Sequence, residues 1–123
     1  MQIRVARPTR DLEQASAFYQ LLELPVLASF EDHDGYSGVV LGLPDSSRQL
    51  ELVLRDGEAP SPTEEDQLVL YLGSAEGVLR AAERFRTAGL EPRAAGNPYW
   101  ERNGAVCFVD PDGYWLVLSP DSW

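Results

Sequence analysis

The chain has 123 residues, 44% of them hydrophobic, which suffices for one domain to bury a core without disulfides or a structural metal. Twenty acidic against ten basic residues give a net charge of −10, which disfavours binding to nucleic acid phosphates or anionic lipid headgroups. No apolar run approaches the roughly 20 residues of a membrane helix, no signal sequence is recognisable, and the lone Cys107 cannot form an internal disulfide. We therefore expect a cytoplasmic protein that binds neither nucleic acid nor membranes.

The first half of the chain has the pattern of one strand, one helix and three further strands. Residues 3–6 alternate as in a strand, and residues 11–22 follow with apolar side chains on one helical face. Asp11 is placed to cap this helix, with Gln14 three positions later. Alternation with a period of two then returns in three short runs separated by turn residues at 32–35 and 44–47. These three predicted strands span residues 26–30, 37–43 and 49–54.

The second half repeats this order. Residues 68–72 form the predicted strand, and Ser74 is the expected N-cap of a helix. That helix ends at Gly89, the residue type most suited to the left-handed conformation that terminates many helices. Three further strands are predicted at residues 90–94, 105–109 and 114–118, the last two joined by a turn at 110–113. Each half is thus β-α-β-β-β, and the fold class is α+β.

An internal repeat supports this duplication. Three residue pairs recur with the same separation of 67 positions: Phe18 and Phe85, Pro25 and Pro92, Pro44 and Pro111. Self-similarity at a fixed period is typical of a repeated module. Residues 56–66 are polar, contain proline and lack a hydrophobic period, so we interpret them as a linker between module one, residues 1–55, and module two, residues 67–123. Because neither half alone buries its sheet, we predict a single domain over residues 1–123.

Two motifs carry a family resemblance that covers nearly the whole chain. Asp11-Leu12, followed by Phe18-Tyr19 and Leu22, resembles the first helix of the vicinal oxygen chelate superfamily, with Glu23 in place of the usual glycine. The motif at residues 110–113, Asp-Pro-Asp-Gly before the last strand, is similar to the second-module motif of that superfamily. Its members include glyoxalases, bleomycin resistance proteins and extradiol dioxygenases. Residues 4–9 and 97–100 look most like its YycE-like branch of uncharacterised bacterial proteins.

The resemblance implies two curled mixed sheets, each with one helix, that together enclose a cavity. Strand alternation then divides side chains between the helix and the cavity. On the fourth strand the leucines at 50, 52 and 54 are expected to pack on a helix, and on the eighth strand those at 116 and 118. On the first strand Ile3 and Val5 are expected in the core. The residues expected to face the cavity are Gln2, Arg4, Ala6, Gln49, Glu51, Val53, Trp115 and Val117.

Metal-dependent members of the superfamily hold a divalent ion with His or Gln on the first and fifth strands and Glu on the fourth and eighth. Carried over to this chain, the fourth-strand carboxylate matches Glu51 and the fifth-strand ligand matches Gln67. The first-strand position holds Arg4, a permanent cation, and the eighth-strand position holds Val117, which has no lone pair. The only histidine, His33, lies in an acidic turn. We therefore expect no metal cofactor; a divalent ion bound by Glu51 and Gln67 is the alternative.

Arg4 and Glu51 are left as charged side chains in the expected cavity. They pair either as a structural ion pair or as a recognition site, in which Arg4 binds a carboxylate or phosphate and Glu51 an amine or hydroxyl. Aromatic residues lie on or beside strands, and residues 97–104 are long enough for a lid. The aromatic side chains expected to line the ligand site are Tyr71, Tyr99, Trp100 and Trp115, with Tyr36 nearby.

These features predict a protein that binds a small molecule without a metal ion. The expected ligand is an aromatic or cationic compound, such as a drug, and Arg4 or Glu51 is its expected polar anchor. The superfamily resemblance also implies a homodimer. An enzyme remains the alternative: a lyase, isomerase or dioxygenase that uses Glu51 as general base or within a non-standard metal set. No catalytic residue is assigned otherwise, because fold alone does not select among the reactions of this superfamily.

Overall fold

The computed structural model describes residues 1–42 and 47–123, which form two compact units, Met1–Ser61 and Pro62–Trp123. Each unit contains a mixed β-sheet with one parallel pair and an α-helix of 9 or 13 residues, so the predicted α+β fold with two βαβββ-like modules is confirmed. The unit boundary falls within residues 56–66. The turn predicted at residues 44–47 lies mostly outside the described residues. Among the described residues, no helix has the length and apolar character needed to cross a membrane.

The first unit is a four-stranded sheet with one helix. Its elements are β1 (Ile3–Pro8), α1 (Leu12–Gln20), β2 (Val26–His33), β3 (Tyr36–Gly42) and β4 (Arg48–Arg55). The strand order is β1-β4-β3-β2, with β1 parallel to β4 and the other pairs antiparallel. As predicted, an Asp11 side-chain oxygen accepts a hydrogen bond from the Gln14 backbone N–H at 3.0 Å and caps α1. Glu23, after α1, has φ 62°, the left-handed conformation that the superfamily's usual glycine adopts without strain.

Helix α1 packs on β3 and β4, and one face of these strands supplies the core of the first unit. Leu41, Leu50 and Leu52 are buried there, as alternation predicts for β4. The expectation that Ile3 and Val5 are core residues is wrong, because their side chains are 52% and 45% exposed.

Strand β1 is an edge strand, and that position explains the error. Its helix-side face contacts α1 near its C-terminal end, where Arg7 Nη1 donates to the Tyr19 hydroxyl at 3.0 Å. Ile3 and Val5 lie on the same face, toward the N-terminal end of the strand, and are exposed.

The second unit has one strand fewer than predicted. Its elements are β5 (Gln67–Tyr71), α2 (Ala75–Thr87), α3 (Tyr99–Arg102), β6 (Val106–Val109) and β7 (Trp115–Ser119), with strand order β5-β7-β6. Ser74 Oγ accepts from the Gly77 backbone N–H at 3.0 Å, and Gly89 has φ 88°, so both predicted helix ends are confirmed.

The strand predicted at residues 90–94 is wrong. This segment keeps one backbone hydrogen bond to β6, from Arg93 N–H to the Cys107 carbonyl at 2.8 Å. Pro92 lies next to that residue and has no N–H to donate to a ladder. The expected lid at 97–104 is built around the short helix α3 rather than an open loop.

Candidate functional site

The two parallel strand pairs, β1 with β4 and β5 with β7, place equivalent positions on equivalent faces of the two sheets. Three positions on one face are equivalent in the two pairs. They are a residue of the first strand, the residue opposite it on the second strand, and the residue two positions further along the second strand. These three positions are Arg4, Gln49 and Glu51 in the first unit, and Gln67, Trp115 and Val117 in the second.

In both sheets these positions face away from the helix. In the first, Arg7 and its register partner Leu52 share the face that meets α1, and Glu51 lies on the opposite face. In the second, Phe85 of α2 stacks on Phe108 of β6 with ring centroids 4.6 Å apart, so Val117 lies on the face opposite that of Phe108. We call these the helix-free faces.

On the first helix-free face, Arg4 is hydrogen-bonded to two side chains of β4. Its Nε and Nη2 donate to Gln49 Oε1 at 3.1 and 2.9 Å, and its Nη1 donates to Glu51 Oε2 at 3.1 Å. The Arg4 side chain is 52% exposed and the Glu51 side chain 16% exposed. Parallel pairing of β1 and β4 creates this cluster, because it sets Arg4 directly beside Gln49.

Several donor and acceptor groups of this cluster make no hydrogen bond to any other described residue. Each terminal nitrogen of Arg4 carries two N–H groups and donates one of them. Glu51 Oε1 accepts no hydrogen bond, and the Gln49 amide nitrogen donates none, within residues 1–42 and 47–123. The cluster therefore offers donors from Arg4 and Gln49 and one acceptor from Glu51 to a further molecule.

On the second helix-free face, the equivalent positions are closed. Gln67 Oε1 accepts from Trp100 Nε1 at 3.1 Å, and Gln67 Nε2 donates to the Glu64 carbonyl at 2.9 Å. Trp115 and Val117 are 6% and 0% exposed and form an apolar cluster with Cys107. The partly buried side chains packed against this cluster are Val69, Ala95, Trp100, Ala105 and Val109. Helix α3 thus places the Trp100 side chain against this apolar cluster, where its indole N–H is hydrogen-bonded to Gln67.

The residues at the superfamily's four metal positions do not fit a divalent ion. Arg4 carries a fixed positive charge and already holds the Glu51 carboxylate. Val117 provides no donor atom, and Gln67 offers its oxygen to Trp100. Within the described residues no group of three or more His, Cys, Asp or Glu side chains is placed to hold a metal. His33 is highly exposed and lies 4.0 Å from the exposed Asp34 carboxylate, as expected for a solvated turn.

The aromatic residues expected to line a ligand site differ in environment. Tyr71 and Tyr99 are exposed; Tyr71 makes an edge contact with Trp123, and Tyr99 with Trp100. Trp115 is buried, with the Arg93 guanidinium 5.9 Å from its ring centroid. Trp100 and Trp115 are therefore engaged in the packing of the second unit.

One aromatic residue on the first helix-free face was not among the sequence candidates. Phe30 of β2 pairs with Gly38 of β3, and Gly38 pairs with Val53 of β4, two positions after Glu51. A Cβ on Gly38 would lie only 2.5 and 2.7 Å from Phe30 Cζ and Cε1, so the ring lies directly over Gly38. The glycine opposite Phe30 was the sequence signal, but it has meaning only once the strand register is known.

Cys107 belongs to the apolar cluster on the second helix-free face. Burial, together with the smaller effect of the nearby Glu101 carboxylate, raises the pKa of its thiol from 9.0 to about 11. The thiol is therefore protonated at neutral pH and poorly nucleophilic.

Comparison with known families fits this architecture. The model of the YycE-like N-terminal domain matches residues 3–53, and that of the YycE-like C-terminal domain matches residues 65–120. The chain belongs to the YycE-like family. YycE from Bacillus subtilis (strain 168) is 37% identical over 120 residues, which cover 95% of this chain and 86% of that protein.

Solved structures extend the comparison to the superfamily. The crystal structure of a YycE protein of unknown function from Bacillus subtilis aligns with a TM-score of 0.90 and 34% identity, covering 99% of this chain and 90% of that one. Leishmania major glyoxalase I aligns with a TM-score of 0.75 and 22% identity, covering 98% and 86%. A FosX variant from Listeria monocytogenes, in complex with Mn(II) and a dihydroxypropylphosphonic acid, aligns at 0.76 and 16%, covering 97% and 90%. The last two show the fold alone, and the predicted superfamily resemblance is confirmed.

Proposed function

We propose that this YycE-like protein binds a small molecule without a divalent metal, on the helix-free face of its first sheet. Arg4 and Glu51 are the polar anchors, and Gln49 joins them. The observation that carries the proposal is the hydrogen bond from Arg4 Nη1 to Glu51 Oε2 at 3.1 Å, which sets a cation beside the one carboxylate at the superfamily's ligand positions.

Electrostatics supports this assignment. A divalent ion on Glu51 would lie next to the guanidinium of Arg4, and like charges at such separation repel strongly where water is partly excluded. The same pair suits an organic ligand, because a guanidinium fork recognises carboxylate or phosphate oxygens and a free carboxylate oxygen recognises an amine or hydroxyl. The excess of 20 acidic over 10 basic residues further favours ligands that carry positive charge.

The proposed ligand class follows the sequence prediction of aromatic side chains. Flat rings commonly line pockets for planar or cationic compounds. In the second unit, considered by itself, Tyr71 and Tyr99 are exposed, whereas Trp100 and Trp115 support its packing. We therefore keep an aromatic or cationic compound as the proposed ligand, with a sequestering role as in bleomycin resistance proteins.

The proposal includes a homodimer in the cytoplasm. The superfamily resemblance supports the dimer, and the exposed Ile3 and Val5 on edge strand β1 supply apolar surface for an interface. A reduced, buried thiol such as Cys107 is common in cytoplasmic proteins. Light scattering after size exclusion measures the mass; a value of one chain at micromolar concentration contradicts the dimer.

A thermal-shift screen of amines and aromatic carboxylates, followed by calorimetric titration of the best compound, tests the proposal. Loss of one charge-assisted hydrogen bond in Glu51→Gln is expected to weaken binding about 10-fold or more. Glu58→Gln is the matched control, because Glu58 pairs with Arg55 at 3.3 Å on an exposed surface. Equal affinity of Glu51→Gln and the wild type contradicts the proposed site.

A second candidate function rests on the free oxygen of Glu51. A general base needs one well-placed carboxylate within hydrogen-bond reach of its proton, and Oε1 is available to a substrate while Arg4 orients Oε2. The protein would then act as a lyase or isomerase that abstracts a proton. Turnover of a bound compound by the wild type, lost in Glu51→Gln while binding persists, distinguishes this enzyme from a sequestering protein.

A further inference from the structure

The first helix-free face contains an apolar region beside its polar cluster. Strand register places Val40 of β3 opposite Glu51, and Ala28 of β2 opposite Val40. The next row, two residues along, runs from Val53 through Gly38 to Phe30. The polar anchors and the Phe30 ring thus lie on one face of one sheet.

Gly38 controls where the Phe30 ring lies. Because Gly38 has no side chain, the ring extends from β2 over β3. The strand spacings of about 4.8 Å across and about 3.4 Å along put the ring roughly 8 Å from the Glu51 backbone. Phe30 is half-buried, so part of the ring stays accessible.

We propose that Phe30 determines ligand specificity at this site by stacking with a flat ring of the ligand, whose amine or hydroxyl group reaches Glu51. This inference rests on the proposed function and adds the ligand's shape: a polar head separated by a short spacer from an aromatic ring. Offset or edge contacts between rings contribute beyond the apolar area that they bury. A saturated ring of the same size lacks that contribution.

The probes are two amines that differ only in their ring, 4-phenylbutylamine and 4-cyclohexylbutylamine. We expect the wild type to bind the phenyl compound about 3- to 10-fold more tightly, the range that aromatic pairing supplies. Phe30→Leu keeps an apolar side chain and is expected to lose that preference. Gly38→Ala keeps the ring but displaces it, because the new Cβ would overlap it, and is expected to reduce the preference.

The control is Ser29→Ala, on the same strand but on the opposite face, where the preference is expected to stay. Calorimetric affinities and melting temperatures are measured for each variant, and only folded variants are compared. If the wild type binds both amines equally while Glu51→Gln weakens both, the proposed function stands and the role of Phe30 is refuted. If neither amine binds the wild type, the amine site at Glu51 fails and this inference fails with it.

Discussion

The helix-free faces of the two sheets occupy equivalent places in a duplicated module, yet they have opposite character. In the first, Arg4 and Glu51 form a partly exposed cluster with open hydrogen-bonding capacity. In the second, Val117 is fully buried, and Trp100 packs against its cluster and bonds to Gln67. Both sheets thus share one parallel and one antiparallel ladder on the strand that carries Glu51 or Val117, whereas the side chains make one face polar and accessible and the other a small core.

Exchanging the residue types of Glu51 and Val117, which occupy equivalent positions on the two helix-free faces, is expected to have the largest and most unequal effects. Val117→Glu places a carboxylate in the apolar cluster and is expected to destabilise the protein by about 3–5 kcal/mol, because that charge has no partner. The reciprocal Glu51→Val removes one partner of a partly exposed pair and is expected to cost about 1 kcal/mol or less. Urea unfolding followed by circular dichroism measures both; similar losses for the two variants contradict the contrast.

Removing the indole that covers the second face is expected to have the next largest effect. Trp100→Ala should cost about 2–3 kcal/mol, from lost apolar burial and the lost hydrogen bond to Gln67. Trp100→Phe keeps most of the ring and should cost about 1 kcal/mol. The exposed Tyr99 is the matched control, and Tyr99→Ala is expected to change stability much less. If Trp100→Ala unfolds at the same urea concentration as Tyr99→Ala, Trp100 does not close this face.

The sequence predicted which residues lie on these two faces, but it did not predict that the second face is closed. Alternation on β4 and β7 assigned Glu51 and Val117 to the helix-free faces, because a period of two leaves little freedom once one face is leucine-rich. The starts of α1 and α2 were equally predictable from the local sequence, because Asp11 and Ser74 cap these helices with their own side chains. These features depend on neighbours within a few residues.

The errors concern tertiary context. Ile3 and Val5 alternate like core residues, but they lie on an edge strand and their side chains are exposed. Residues 90–94 have a strand-like composition but make a single ladder hydrogen bond. The pairing of Trp100 with Gln67, 33 residues apart, and the ring of Phe30 over Gly38 depend on register and on α3, which no local pattern specified.

The Cys107 thiol, on the second helix-free face, is expected to have a smaller effect on stability, and that effect depends on pH. Folding raises the pKa of Cys107 from 9.0 to about 11, so the folded state holds this proton more tightly than the unfolded chain. The resulting stabilisation is complete below about pH 9 and is lost as the pH rises toward 11, with about 1 kcal/mol lost near pH 10. Cys107→Ala should lack this loss. Urea unfolding of both proteins from pH 7 to pH 10.5 measures the difference, and parallel profiles would show that the thiol is not buried in solution.

Calorimetric titration of the chelator-treated protein with Mn²⁺, Ni²⁺ and Zn²⁺, with melting temperatures at each concentration, tests whether the protein works without a divalent metal. Because Arg4 holds Glu51 and Val117 offers no donor, we predict no saturable binding and no rise in melting temperature at millimolar metal. An ion bound only by the native state would stabilise it by about 2.7 kcal/mol at 100 times its Kd. One equivalent of metal bound with such a rise, and lost in Glu51→Gln, would contradict the metal-independent function.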